Sequence, residues 1–570
     1  MDIQAGEIAQ RLLDQTASGR LRRRGLLASA GRLGVAGLLA KAGMEAALAA
    51  GDNQRANGAR LKKSYDYIVA GAGAAGCIIA PRLARTGASV LVVEAGGTDQ
   101  VPQVSEPHIW VSNLGSTRDW NFSAAPSPYV DGRRVPVATG HVLGGGTSIN
   151  AMLWVRGLAE DFDGWEAAGC TGWGFRDLLP LYRSLEDWQG GANEWRGAGG
   201  PVHVETIREP HPTAVGFLAA ARQMGIPIRE DLNAPMQEGA GYANLTVASD
   251  GTRVSAARAF LRPALGLPNL TLLLNTQVSR LLFSGTTCTG LRIRDAAGEI
   301  DVLADQEVIV TSGGLGSAKL LLASGVGDAD ASRRLGITPV LNLKGVGENY
   351  QDHPLLFGRV FGYKGKMPAP APSSNNAEAI AFIRSTAEKP TPDIAMVLME
   401  LPVLSDALRA KYGSPPPDSF TISPALVRPT SRGSLRLASA DIREPAILDG
   451  NYLATDEDLT ATMRCIELCG ELGRQSAFDE IRTEELVPGH ALSGDALRDF
   501  ARQATISFGH PVGTCKMGTD ELAVVDPELK VQGVTGLRVC DSSVMPNIVA
   551  GPTSAASHVI GAKAAVLLGV

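Results

Sequence analysis

Three glycines and one acid near the start of the chain have the spacing that binds a dinucleotide. Gly71, Gly73 and Gly76 form a G-x-G-x-x-G pattern after one apolar segment, and Glu94 follows the next apolar segment, Val90–Val93. The first glycine of such a pattern allows a tight turn, the second lets a pyrophosphate approach the backbone, and the third lets helix and strand pack closely. The acid can accept a hydrogen bond from a ribose hydroxyl. The sequence therefore predicts a strand–turn–helix–strand unit that holds a dinucleotide.

The residues after this acid favour FAD over NAD. Gly96 and Gly97 complete an E-A-G-G sequence, which is similar to the one that many FAD-binding units carry at this place. The chain shows no second, independent G-x-G-x-x-G unit that would hold a separate nicotinamide cofactor. We therefore expect FAD as the bound cofactor.

Three further stretches resemble the glucose–methanol–choline (GMC) oxidoreductase family. They read GHVLGGGTSIN at 140–150, SGGLGSAKLLLASGVG at 312–327, and HPVGTCKMG at 510–518, which GLRVCDSSVMP follows from 536. With the glycine turn they stand in the family's order, and the resemblance extends from about Tyr65 to the C-terminus. It implies an α/β fold (α+β overall), in which a Rossmann-like FAD-binding domain carries a discontinuous substrate domain built on an antiparallel sheet with helices.

The resemblance also implies how the chain divides into domains. The FAD-binding domain is expected at 65–160, 240–350 and 505–570, and the substrate-binding domain at 161–239 and 351–504. Strand-like runs bounded by proline and glycine, such as SFTISPALVRP, are typical of the antiparallel sheet expected in the substrate domain.

The family resemblance assigns cofactor contacts beyond the glycine turn. Bare backbone at Gly144, Gly145 and Gly146 removes side chains where the flat isoalloxazine ring is expected to lie. Val278 is expected to meet the adenine end through its backbone, and Asp541 to lie near the ribityl chain and pyrophosphate. The main chain expected to line the flavin belongs to Val142, Asn150, Ala151, Met152 and Leu153.

Alcohol oxidation needs a base for the hydroxyl proton, and histidine suits that task near neutral pH. His510, which opens HPVGTCKMG, matches the family's catalytic histidine. The second catalytic position, His or Asn in the family, falls on Ser554, whose hydroxyl can hydrogen-bond a substrate but is a poor base. His558 lies one helical turn further along and either supplies an imidazole or packs in the core. Catalysis by His510 alone is the simpler hypothesis.

His141 stands where most family members carry Arg, Lys or Asn. Some relatives carry His here, and in some of those the imidazole is bonded covalently to the flavin 8α-methyl group. Two alternatives follow for this chain: FAD is attached covalently through His141, or the His141 ring only packs against the flavin or its phosphate.

The first 50 residues have the layout of an export signal. Arg22–Arg24 precede a short apolar run, and Ala47–Ala49 form a cleavage-site pattern. The apolar run is short of the ~20 residues that span a bilayer, so no membrane span is expected. The arginines and the Gly-Leu-Leu after them resemble a twin-arginine (Tat) signal. We expect 1–50 to send a folded protein to the periplasm, with 51–64 as a linker. The alternative is an amphipathic helix or an uncleaved anchor.

Composition argues against several other functions. The net charge of −6 provides no basic surface for nucleic acid. The seven cysteines are odd in number and scattered, which is not typical of a disulfide framework. Cys465 and Cys469 lie four residues apart on a predicted helix but lack the further His or Cys partners of a metal site. We therefore expect two buried thiols and no metal.

The sequence thus favours an FAD-dependent alcohol dehydrogenase or oxidase that acts on CH–OH donors. Its expected partners are a small-molecule alcohol and an electron acceptor, which is oxygen, a quinone or a cytochrome. One alternative is a non-redox lyase of the hydroxynitrile-cleaving type that keeps FAD as a structural cofactor. Another is a flavin-bearing binding protein without turnover.

Overall fold

The computed structural model describes residue 54 and residues 61–234, 238–296 and 298–570. The predicted export signal at 1–50 lies outside the described residues, as does most of the predicted linker at 51–64.

Two large sheets, with helices packed against them, make up most of the described chain. In chain order the strands are β1 Ser64–Ala70, β2 Val90–Val93, β3 Phe122–Ser123, β4 Pro136–Val137, β5 Glu186–Trp188, β6 Val202–Thr206, β7 Gly239–Tyr242, β8 Asn244–Leu245, β9 Leu270–Leu273, β10 Gln277–Ser284, β11 Thr287–Asp295, β12 Gly298–Val310, β13 Val326–Gly327, β14 Leu341–Asn342, β15 Pro354–Leu356, β16 Val360–Tyr363, β17 Ala379–Ile383, β18 Ile394–Met399, β19 Ser419–Leu426, β20 Ser434–Arg436, β21 Ile447–Asp449, β22 Arg482–Val487, β23 Thr505–Ser507 and β24 Leu537–Val539.

The helices are mostly short and lie between the strands. In chain order the α-helices are α1 Gly76–Arg85, α2 Pro102–Ser105, α3 Ala159–Ala167, α4 Phe175–Leu185, α5 Pro212–Gln223, α6 Gly313–Ala323, α7 Ala329–Arg334, α8 Asp406–Tyr412, α9 Asp456–Gly473, α10 Gly494–Ala504 and α11 Ser554–Leu567. Among the helices of these described segments, none has both the length and the apolar composition that a bilayer crossing requires.

The first sheet carries the predicted dinucleotide unit. Its strand order is β10-β11-β12-β1-β2-β9, and β24 also pairs with β12. The pairs β12–β1, β1–β2, β2–β9 and β12–β24 are parallel, whereas β10, β11 and the first half of β12 form an antiparallel extension. Every residue of β2 is buried, as expected for a parallel strand covered on both faces. The α/β fold with a Rossmann-like domain is confirmed.

The second sheet is antiparallel throughout. Its order is β22-β16-β19-β18-β17-β7, and β15 joins β19 to β23. Strand β18 alternates between two apolar clusters: Met396 packs on the side of α5 and α9, and Val397 faces the opposite side. The predicted boundaries at 240 and 505 fall in β7 and β23, both of which pair in this sheet. The domain boundaries themselves stay a prediction.

Cys465 and Cys469 lie on α9, where both thiols are buried. The sulfur of Cys465 donates to the carbonyl oxygen of Ala395 at 3.3 Å. The described part of the chain contains no group of three or more His, Cys, Asp or Glu side chains placed to hold a metal ion.

Candidate active site

A cavity of about 380 Å³ joins the two sheets. On one side it is lined by residues that follow the carboxyl ends of parallel strands: Gly71 after β1, Glu94 after β2, Thr276 after β9, Thr311 after β12 and Asp541 after β24. Ligands of open α/β sheets bind at this edge, because the loops there diverge and the helix N-termini point toward it. On the other side the antiparallel sheet closes the cavity. The fold therefore places the predicted dinucleotide turn and the predicted substrate domain around one space.

The glycine turn is held by the acid that follows β2. One carboxylate oxygen of Glu94 accepts from the Ala72 N–H at 2.9 Å, and the other accepts from the Gly96 N–H at 2.8 Å. Burial raises the pKa of Glu94 to about 7, and the two N–H donors oppose that shift. Glu94 thus lines the cavity, and its hydrogen bonds also fix the glycine turn.

The three glycines of the turn play different parts. Gly71 and Gly73 line the cavity, whereas Gly76 lies behind them. A Cβ atom on Gly76 would come within 2.1 Å of the Gly71 carbonyl oxygen. A side chain is therefore excluded at Gly76 by the contact between α1 and the turn, which is the close packing expected of the third glycine.

A second glycine-rich loop brings bare backbone against the first. Gly144 donates its N–H to the Ala72 carbonyl at 2.8 Å, and a Cβ on Gly145 would come within 2.9 Å of the Gly73 Cα. Gly145 and Gly146 line the cavity, while Gly144 and Val142 support the loop from behind. Such a wall without side chains fits a flat ring system held against main chain, so the residues present are suited to FAD.

The remaining predicted cofactor contacts divide in the same way. Asn150, Ala151, Leu153 and Val278 line the cavity, whereas Met152 is buried beside it. The Asn150 side-chain oxygen accepts from the Met152 N–H at 3.0 Å, and this bond helps to fix the strained backbone there, since Met152 has a φ of 59°.

Asp541 also lines the cavity and is bound by donors at the start of α6. One of its oxygens accepts from the Gly313 N–H and the Ser317 hydroxyl, and the other accepts from the Ser543 N–H. Burial raises the pKa of Asp541, and these hydrogen bonds oppose the shift. The carboxylate therefore ties β24 to the N-terminus of α6 at the cavity wall.

His141 is not brought to the cavity wall. Its Nδ1 lies 3.1 Å from the Thr117 carbonyl oxygen, and its ring centroid is 4.3 Å from the ring centroid of Trp120. Trp120 lines the cavity, whereas His141 is not among the described residues that line it. Covalent attachment of FAD through His141 stays a prediction.

His510 lies on the cavity wall with one ring nitrogen paired. Its Nδ1 is 2.9 Å from Nδ1 of His353, and its ring stacks on Phe508 with a centroid distance of 4.5 Å. Within the described residues Nε2 of His510 has no hydrogen-bond partner. Burial, and secondarily the charge of His353, hold the pKa of His510 well below its ordinary value.

The contact between the two imidazoles couples the proton positions on their rings. Two neutral rings that meet through Nδ1 must supply one N–H donor and one acceptor. Against the lowering by burial, the carbonyl groups of Val427 and Val549 raise the pKa of His353, which fits a proton on the ring nitrogen turned away from His510, and that Nε2 atom has no hydrogen-bond partner among the described residues. With that proton on His353 Nε2, Nδ1 of His353 is the acceptor, Nδ1 of His510 is the donor, and the lone pair of His510 is on Nε2.

Sequence reasoning assigned no role to His353. It stands in the QDHP segment, 157 residues before His510, and burial lowers its pKa to about 3. The preceding residue, Asp352, accepts from the His510 backbone N–H at 2.9 Å and from the hydroxyls of Tyr452 and Ser507. Two consecutive residues thus position His510, one through its ring and one through its backbone. In the sequence, the only signal for Asp352 and His353 was their place in the segment QDHP, to which no function had been assigned.

The two remaining predicted catalytic residues separate at the start of α11. Ser554 lines the cavity, but His558 does not. The His558 ring is 2% exposed, packs edge-on against Trp154 at 5.2 Å, and donates from Nδ1 to the Ser554 carbonyl at 2.7 Å. Burial lowers its pKa to about 4. The geometry corrects the alternative in which His558 supplies a second catalytic imidazole and matches the alternative in which it packs in the core.

Helix α11 reaches this position by close contact with α1. A Cβ on Gly561 would come within 2.7 Å of the Ala75 Cα. The two helices can approach closely here because the residues in contact, Gly561 and Ala75, are small. Because α11 packs against α1, Ser554 at the N-terminus of α11 lines the same cavity as the glycine turn that precedes α1.

Comparison with known proteins identifies the family. Models of GMC oxidoreductases match residues 65–355 and 429–561. Oxygen-dependent choline dehydrogenase of Brucella suis biovar 1 is 36% identical over 524 residues, covering 88% of this chain and 94% of the relative. Mitochondrial choline dehydrogenase of Mus musculus is 36% identical over 541 residues, covering 88% and 89%.

Solved structures give the same result. Pyridoxine 4-oxidase from Mesorbium loti superposes with a TM-score of 0.84 at 31% identity, covering 88% of this chain and 98% of the other. A formate oxidase variant from Aspergillus oryzae, studied for FAD modification, superposes with a TM-score of 0.80 at 25% identity, covering 89% and 98%. The chain therefore belongs to the GMC oxidoreductase family and is an FAD-dependent alcohol dehydrogenase or oxidase.

Proposed function

We propose that this enzyme oxidises the CH–OH group of an alcohol with Nε2 of His510 as the base. The observation that carries the proposal is the pairing of His510: Nδ1 is bound by His353, and Nε2 stands unpaired on the wall of the cavity. FAD supplies the hydride acceptor when bound. His510 takes the hydroxyl proton as the carbinol carbon gives up its hydride, and the alcohol leaves as an aldehyde or ketone.

The environment of His510 suits a general base. Burial keeps the imidazole neutral at pH values where an exposed histidine is already partly protonated. His353 accepts the Nδ1 hydrogen and so holds the lone pair on the nitrogen that faces the cavity. Ser554 lines the same cavity, and we assign its hydroxyl to hydrogen-bonding the substrate oxygen.

The cofactor contacts follow from the lining of the cavity. Gly71 and Gly73 would hold the pyrophosphate against bare backbone at the N-terminus of α1, and Glu94 would accept from the ribose. Val278 would meet the adenine end and Asp541 the ribityl chain. Covalent attachment through His141 is a further proposal, which is tested by denaturing the protein and asking whether the yellow colour stays with the polypeptide.

The electron acceptor and the compartment are parts of the same proposal. We propose oxygen, a quinone or a cytochrome as the acceptor, and export to the periplasm by the twin-arginine route through residues 1–50, where Arg22–Arg24 precede the apolar run. Fusing residues 1–50 to a reporter that is active only after folded export tests the route. An Arg22–Arg24 to lysine variant of that fusion is the control and should block export. The relatives and structures named above are dehydrogenases and oxidases, so they give the lyase alternative no support.

Anaerobic mixing of the FAD-loaded enzyme with a panel of alcohols tests the redox function. Bleaching of the flavin absorbance by at least one alcohol is the expected result, and a lyase would leave the flavin oxidised. Steady-state assays with an artificial dye and with oxygen then separate a dehydrogenase from an oxidase.

A further inference from the structure

The half of the cavity on the substrate side has an apolar wall. We use this name for Trp110, Leu355, Phe357, Val397, Met399 and Ile506, which all line the cavity. They belong to one hydrophobic cluster that also contains Phe508, the ring stacked on His510. The apolar wall is therefore continuous with the side chain that covers the proposed base.

Strand alternation directs these side chains toward the cavity. Val397 and Met399 are two residues apart on β18, so they share a face, and Leu355 lies directly opposite Ile506 in the pairing of β15 with β23. The antiparallel sheet therefore presents apolar side chains to the cavity.

The apolar wall itself carries no carboxylate among the described residues that line the cavity. Among the described residues that line the cavity, the carboxylates are Glu94 and Asp541, both at the dinucleotide edge and both bound by backbone N–H groups. Glu378 and Glu400 are buried but do not line the cavity; Glu378 accepts from the His211 N–H at 2.6 Å, and one oxygen of each carboxylate has no hydrogen-bond partner among the described residues. Asp352 does not line the cavity and accepts hydrogen bonds on both oxygens.

Among the described lining residues, the cationic side chain lies on the dinucleotide side of the cavity, on α6. Lys319 lines the cavity from α6, and the ammonium group lies 5.9 Å from the centroid of the Phe122 ring. Burial lowers the pKa of Lys319. A cation bound against the apolar wall would find no carboxylate among the described residues of that wall.

We propose that the substrate is an uncharged alcohol whose carbinol carbon carries an apolar aryl or alkyl group, and that quaternary ammonium alcohols are poor substrates. The proposal rests on the proposed alcohol oxidation at His510 and names its substrate class. A quaternary ammonium group would lose its hydration without gaining a counter-ion, which is costly in an apolar site. The faces of Trp110 and Phe357 offset only part of that loss. An aryl or alkyl group would instead bury apolar surface against the same side chains.

Choline and 3,3-dimethyl-1-butanol test this proposal as a matched pair. The two alcohols have the same shape, and they differ in a trimethylammonium group against a tert-butyl group. Calorimetric titration of the FAD-loaded enzyme measures their binding whether or not the flavin is reduced, and anaerobic flavin reduction measures their oxidation. We expect the neutral alcohol to bind at least tenfold more tightly and, if the redox proposal is right, to reduce the flavin with at least tenfold higher kcat/KM.

The two readouts separate the two proposals. Equal or tighter binding of choline overturns the substrate class, whatever happens to the flavin. Tighter binding of 3,3-dimethyl-1-butanol without flavin reduction upholds the substrate class and counts against the redox function.

A charged variant gives an independent check on the apolar wall. Met399→Glu places a carboxylate in the apolar wall. We expect this variant to raise the affinity for choline, relative to that for 3,3-dimethyl-1-butanol, at least tenfold. Met399→Gln has nearly the same size without the charge and is the control, for which we expect a shift of less than threefold. Similar shifts in both variants would show that charge at this wall does not set selectivity.

Discussion

Replacing His510 with alanine removes the proposed base while leaving the rest of the cavity in place. A positioned general base contributes about 10²–10⁴-fold to a proton-transfer step. The structure favours the middle to upper part of that range, because His510 is the only imidazole among the described lining residues. His353 has Nδ1 engaged with His510 and Nε2 buried, and the His558 ring is packed in the core. We therefore expect flavin reduction to slow by about 10³-fold, which corresponds to about 4 kcal/mol of activation free energy.

The assay is anaerobic stopped-flow reduction of the bound flavin at saturating alcohol. FAD content and thermal unfolding of His510→Ala should match those of the wild type, so that the loss belongs to the chemical step. Ser554→Ala is the matched control: Ser554 lines the same cavity, but its hydroxyl is a poor base, and a loss below tenfold is expected. A His510→Ala enzyme that binds FAD normally and reduces it within tenfold of the wild-type rate would refute the assignment of the base.

Three further outcomes follow from the same structure. Because burial lowers the pKa of His510, the acid limb of kcat/KM should fall below pH 6.5, and His353→Ala should move that limb upward since it removes a lowering influence and admits water; an unchanged limb would argue against the pairing. Gly76→Ala should reduce FAD content at least tenfold because its Cβ would clash with the turn, whereas Gly164→Ala, which meets nothing within 4 Å, should keep FAD, as measured by absorbance after gel filtration. The pKa of His558 falls from 6.5 to about 4 on folding, so the unfolded chain binds more protons below pH 6.5 and stability drops on acidification. His558→Leu should therefore lose about 2 kcal/mol less unfolding free energy than the wild type between pH 8 and pH 5, as measured by denaturant titration, and an identical loss would contradict this origin.

Local spacing was enough to predict the dinucleotide unit. The interval from Gly71 to Gly76 and the acid at Glu94 lie within one strand–turn–helix–strand segment, and the backbone of such a segment is fixed by residues close in sequence. The family resemblance then gave the α/β class, the FAD cofactor and His510 as the base. The structure confirms the fold class and brings Glu94 and His510 to one cavity.

The tertiary structure decided how His510, the proposed base, is oriented and which residues contact it. His353 meets His510 across 157 residues of chain, and no periodicity or spacing encodes that contact. Ser554 and His558 are one helical turn apart, so sequence could place them on one face, but only the packing of α11 against α1 shows that Ser554 reaches the cavity and His558 the core. Short-range patterns set backbone conformation, whereas pairing between distant side chains depends on how the two sheets pack together. The sequence therefore determined the cofactor unit, and the packing of the sheets determined the site around it.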